Sequence, residues 1–81
     1  MTKDEVVHVL KLNAFKAHKS GTSWCYYIKG GAYKTWAYFL KKGDVLSLEW
    51  QEARKTRRVD LEVETLSLEE LVTTITRIAA L

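Results

Sequence analysis

The chain has 81 residues, a net charge of +3, and 47% hydrophobic and 28% charged residues, the balance of an ordinary globular domain rather than a disordered segment. It has room for one domain, residues 1–81, with a modest core, because so short a chain buries only about 60–65% of its unfolded surface. No apolar run reaches the roughly 18 residues of a membrane-spanning helix. The amino terminus lacks the pattern of a signal peptide, and the lone Cys25 has no internal disulfide partner, so an intracellular (cytoplasmic), reducing setting is expected.

Charge is unevenly spread along the chain. Residues 1–58 hold 12 Lys and Arg against 5 Asp and Glu, whereas residues 59–81 hold Arg77 against Asp60, Glu62, Glu64, Glu69 and Glu70. Between residues 6 and 43 there are seven lysines and no acid. Asymmetry of this kind predicts a polyanionic partner, or a basic face that meets an acidic one.

In chain order, Val6-Val-His-Val-Leu-Lys-Leu is rich in β-branched residues and predicts a first strand, with Leu10, Leu12 and Ala14 on one face. Ser20-Gly-Thr-Ser reads as a turn. Trp24-Cys-Tyr-Tyr-Ile-Lys follows as a strand that alternates Trp24, Tyr26 and Ile28 against Cys25, Tyr27 and Lys29, and Gly30-Gly31 breaks it. Residues 32–42 fit two readings. As a helix, Tyr33, Trp36, Ala37 and Leu40 share a face. As a strand, the aromatic content is better explained and Lys42-Gly43 joins a hairpin turn; the strand is preferred. Val45–Gln51 alternates, with Leu46, Leu48 and Trp50 together. Arg54–Arg58 reads as a polar turn, and Arg58–Glu64 as a half-buried antiparallel strand with Val59, Leu61 and Val63 inward.

Ser67-Leu-Glu-Glu starts a helix over residues 67–80, with Ser67 and Glu70 as a capping box and Leu66 and Leu71 as a hydrophobic staple. Leu71, Val72, Ile75, Ile78 and Ala79 form its apolar stripe. The predicted fold is therefore mostly β (α+β): a curved antiparallel sheet or small OB-like barrel of four to five strands, within residues 5–65, followed by a C-terminal amphipathic helix.

Catalysis finds little support, and the chain is read as no enzyme, with no catalytic residues, metal or cofactor. His8 and His18 lie ten residues apart, and no Cys or carboxylate cluster has metal-ligand spacing. Cys25 reads as a small buried hydrophobe, and Asp60, Glu62 and Glu64 as a solvated strand face. No phosphate-binding glycine pattern occurs, and Gly30-Gly31 alone is a break.

Binding finds more. Eight of the nine aromatics fall inside the acid-free, lysine-rich stretch. Lysines that track phosphates and flat rings that stack on unpaired bases are what a single strand of nucleic acid requires. Some of these rings must fill the core. Trp24 or Trp50 is expected there, while the other parity, Tyr27 with Lys29, and Lys34 with Trp36 and Tyr38, is expected to form an exposed platform. The expected stacking residues are Tyr27, Trp36 and Tyr38. The expected phosphate contacts are Lys16, Lys19, Lys29, Lys34, Arg54, Lys55, Arg57 and Arg58. The last four read equally as a solvated hairpin tip or a phosphate clamp.

The run Phe39-Leu-Lys-Lys-Gly-Asp-Val-Leu-Ser-Leu-Glu49, followed by a basic hairpin and Arg57-Arg-Val-Asp-Leu-Glu-Val63, resembles the back half of OB-fold single-stranded-DNA-binding proteins over residues 36–63. The order of strands and then a helix is also similar to the Whirly and Pur types of single-strand binder, an architectural analogy without a residue motif. Both resemblances imply a single-stranded DNA or RNA partner and low sequence specificity. The alternative is a small protein-interaction module or inhibitor, of viral or mobile-element type, whose basic aromatic face docks an acidic protein. Tyr, Trp and Arg dominate protein hot spots as well. Homodimerisation through the C-terminal helix fits either reading.

Overall fold

The computed structural model describes residues 1–20, 24–30 and 34–80. The element order is α1 (Lys3–Leu12), β1 (Phe15–Ser20), β2 (Trp24–Lys29), β3 (Thr35–Leu40), a 3₁₀ turn (Lys41–Gly43), β4 (Val45–Glu52), β5 (Lys55–Glu62) and α2 (Leu68–Ala79). The strands form one antiparallel meander, β1-β2-β3-β4-β5. The sheet does not close into a barrel. Of the two predicted forms, the open sheet with a C-terminal helix is therefore the observed one. The OB-fold itself is a five-stranded Greek-key barrel, a different strand order from this meander.

The first element departs from its expectation: residues 3–12 are helical, not a strand. Thr2 accepts from the Glu5 amide at 3.2 Å while the Glu5 side chain accepts from the Thr2 amide at 2.8 Å, a reciprocal capping box that satisfies two otherwise unpaired donors. Val6, Val9 and Leu10 fall at i, i+3 and i+4 and are buried. Each valine costs at most about 0.7 kcal/mol in helix propensity, whereas burying such a side chain contributes about 1.5–3 kcal/mol. Packing outweighs propensity, and Leu10 and Leu12, expected on one face, are separated: Leu10 is buried and Leu12 is 72% exposed. The strand that does open the sheet, β1, begins at Phe15.

The remaining elements follow the pattern more closely. Residues 35–40 form the preferred strand, and the 3₁₀ turn through Lys42-Gly43 links β3 to β4. Gly43 sits at φ +101°, so glycine is favoured by backbone conformation, and a Cβ there would lie 2.9 Å from the movable Lys3 Cδ. The basic turn is shorter than predicted. Only Ala53 and Arg54 lie outside the paired strands, both at positive φ (50° and 65°), as a two-residue hairpin of the I′ kind demands. Lys55, Arg57 and Arg58 belong to β5. In α2, Ser67 Oγ accepts from the Glu70 amide at 3.1 Å. The predicted turn at residues 21–23 and the placement of Gly31 and Tyr33 lie outside the described residues.

Both helices cover the same face of the sheet. The core joins Val6, Val9 and Leu10 of α1 and Leu71, Ile75 and Ile78 of α2 to Phe15, Tyr27, Ala37, Leu46, Leu48 and Leu61 of the strands. Of the predicted stripe of α2, Leu71, Ile75 and Ile78 are buried and Val72 is half-buried, while Ala79 is exposed, as is Leu68. Side chains alternate across a strand, so the other side chains of the strands lie on the face that neither described helix covers. Among the described residues, no helix is long and apolar enough to cross a membrane.

Candidate functional site

Directly paired residues point to the same side of a sheet, so the register assigns each strand side chain to a face. Tyr27 pairs with Ala37, and Ala37 with Leu48, which puts Tyr27 in the covered core, 7% exposed. Burial, with Cys25 beside it, pushes its phenol up to about 12. The expected parity of β2 is therefore reversed: Tyr27 and Lys29 face the helices, and Tyr26 and Ile28 face outward. Tyr27 is no part of an exposed platform. Cys25, expected to be buried, is half-buried at the core's margin.

On the open face two rows run across the sheet. One is Lys16, Ile28, Trp36, Glu49 and Arg58; the other is His18, Tyr26, Tyr38, Ser47 and Asp60. Trp36 and Tyr38, expected on an exposed platform, lie on this face and are half-buried. Trp36 Nε1 donates to Glu49 Oε2 at 2.6 Å, and the Tyr38 hydroxyl donates to Glu49 Oε1 at 3.1 Å. One carboxylate thus fixes both rings against the sheet, since a bond to a charged acceptor is about twice as strong as a neutral one. His18 stacks on Tyr26 with ring centroids 5.5 Å apart and planes 20° apart. Arg58 donates twice to Asp60, at 2.8 and 3.0 Å, and this guanidinium holds the Asp60 carboxyl below the usual carboxylate range.

The expected phosphate contacts divide between the faces. Lys16 and Arg58 lie on the open face. Lys19, Lys29, Lys55 and Arg57 share the covered parity, Lys34 is exposed just ahead of β3, and Arg54 is in the hairpin turn. The Lys29 ammonium reaches the rim, donating to the Asn13 carbonyl at 2.7 Å. Arg57 lies 3.7 Å from Glu52.

Along the strand axis, however, the charges sort strongly. β1 and β5 begin, and β2 and β4 end, at one end of the sheet, where both helices also terminate. At that end lie Lys11, Lys16, Lys29, Lys34, Arg54, Lys55, Arg57, Arg58 and Arg77, nine of the thirteen Lys and Arg, with two acids, Glu49 and Glu52, while the Asp60 carboxylate reaches across to pair with Arg58. The opposite end holds the other eight acids with Lys3, Lys19, Lys41 and Lys42. Seven of the eight cations expected from the sequence are therefore brought to one end, and Lys19 is separated from them.

Sequence reasoning missed His18, Tyr26 and Glu49 on the open face and Trp50 and Arg77 at the cation-rich end. Glu49 was legible, because it shares the parity of Ser47, opposite to the inward Leu46, Leu48 and Trp50. Tyr26 was not, because both parities of β2 carry an aromatic and an apolar residue. Among the described residues, no group of three His, Cys, Asp or Glu side chains comes together as a metal site would require. Compared with known proteins, the chain matches no family model, no curated protein and no solved structure.

Proposed function

We propose that this protein is a non-catalytic binding module for single-stranded nucleic acid, DNA or RNA, held at the basic end of the sheet with bases stacked on the open face. The observation that carries this reading is the gathering of nine Lys and Arg at the end where Trp36 lies. A polyanion neutralised there releases counterions from its backbone. The Trp36 ring, tethered across the sheet to Glu49, is a pre-oriented surface for a base, and base–aromatic stacking contributes about 1–3 kcal/mol. A duplex read by a helix needs that helix in the major groove. Here both helices carry acids in their first turns and pack on the face away from Trp36.

Fluorescence anisotropy of labelled oligo-dT and of its duplex, at ~50 and ~200 mM salt, tests this reading. Preference for the single strand is expected, with a salt slope of about −0.7 per phosphate contact. Affinity that does not change with salt would overturn it.

A second reading has its own observation. Glu49, fixed between Trp36 and Tyr38, gives the open face an ordered relief of rings and charge of the kind found at protein hot spots. Absence of oligonucleotide binding at both salt concentrations would transfer the basic end to an acidic protein partner.

A further inference from the structure

The same end of the molecule has a second aromatic residue, on the other face. A groove of about 280 Å³ opens between β4, β5 and the end of α2, lined by Trp50, Val59, Thr74, Arg77 and Ile78. Arg57 pairs directly with Trp50 and so shares its side of the sheet. Trp50 is half-buried where the core ends. Its indole N–H points to Glu52 Oε2 at 3.4 Å, and Glu52 in turn lies 3.7 Å from Arg57. Glu52 is thus already engaged with Trp50 and Arg57, while Arg77, in the last turn of α2, is exposed at the groove's rim.

A core that merely ran out at a tryptophan would not need two guanidiniums around the opening. An apolar slot with an aromatic wall and cations at its mouth matches the two halves of a nucleotide. The base takes the apolar wall, and the phosphate takes planar, multidentate donors. We infer that this groove is a nucleotide subsite, with Trp50 as the base contact and Arg77 and Arg57 as the phosphate contacts. The inference rests on the single-strand reading for the source of the nucleotide. Thr35 pairs with Trp50 and Trp36 with Glu49, so Trp36 and Trp50 stand one residue row apart on opposite faces. A strand that stacks on Trp36 and rounds the basic end meets the groove next. A free nucleotide would use the same contacts.

The test uses the full chain with Trp24→Phe and Trp36→Phe, which leaves Trp50 as the single tryptophan. Trp50 emission is followed while thymidine 5′-monophosphate, and separately an oligo-dT of about 15 nucleotides, within the range of single-strand site sizes, is added. Both are expected to quench it. Arg77→Gln should weaken the mononucleotide severalfold. Thr74→Phe, which fills the groove without removing a core side chain, should abolish the quench while the thermal melt stays cooperative. An oligonucleotide that binds with Trp50 silent to both ligands overturns the subsite and leaves the single-strand reading standing. A mononucleotide that quenches Trp50 while the unsubstituted protein fails to bind the oligonucleotide in anisotropy retains the subsite and ends the single-strand reading. Quenching indifferent to both Arg77→Gln and Thr74→Phe also overturns the subsite.

Discussion

Trp36 and Glu49 face each other across β3 and β4, and the indole N–H donates to the carboxylate at 2.6 Å. The same carboxylate accepts from Tyr38, so one acid orders two rings and also places a negative charge among the cations. These two effects are separable. Glu49→Gln retains an acceptor and removes the charge, and oligo-dT affinity measured by anisotropy at low salt should rise severalfold. Unchanged binding would mean that the ligand does not feel this charge, and weaker binding that the ordering of the two rings outweighs it.

Trp36 and Tyr27 make the sharpest contrast between a surface ring and a core ring. Trp36→Ala should lower oligo-dT affinity by about 1–3 kcal/mol with little change in the melt. Tyr27→Ala should instead lower stability by about 3 kcal/mol or more, the usual cost of emptying an aromatic core position. Chemical denaturation beside anisotropy separates the two.

The polarity of the molecule predicts an end-specific response. Arg54→Gln with Lys55→Gln should lower the salt slope by about 1.4, at about 0.7 per lost phosphate contact on a single strand. Lys41→Gln with Lys42→Gln, at the acidic end, should leave it unchanged. Equal losses from the two pairs would show that net charge alone, rather than its placement, drives binding.

Stability at alkaline pH follows from the Tyr27 phenol, whose pKa is pushed from 10.0 up to about 12 by burial. A group with a raised folded-state pKa stabilises fully below its unfolded value and loses that contribution as pH rises through the folded one. Thermal melts should therefore decline through the window from 10.0 to about 12, and less steeply in Tyr27→Phe. Parallel declines in the two proteins would assign alkaline unfolding to other groups.

Two turns predict opposite shifts in Tm. Gly43→Ala places a Cβ at φ +101° and 2.9 Å from Lys3 Cδ, and should cost about 1–2 kcal/mol. Ala53 already occupies positive φ, 50°, where asparagine is the better residue. Ala53→Asn should therefore stabilise by about 0.5 kcal/mol, read as a rise of a few degrees in Tm.

Alternation and turn chemistry were enough to read β4, the inward Leu61 and Val63, the cap at Ser67 and the apolar stripe of α2, because each is a local pattern tied to one neighbouring element. The same local logic failed at residues 3–12. There the valines argued for a strand, and only the packing of Val6, Val9 and Leu10 on the sheet made a helix more stable. It failed again in β2, where Tyr26 and Tyr27 differ by one residue and hence by a whole face. The choice between them rests on pairing with Ala37 and, through it, Leu48. What the sequence by itself determined was a small antiparallel sheet with a terminal helix, an excess of lysine and arginine, and rings dense enough for a binding surface. The tertiary structure decided which rings face outward. It also decided that cations scattered over sixty-odd positions of the chain meet at one end, because a meander returns distant residues to the same edge, and no periodicity along the chain encodes that meeting.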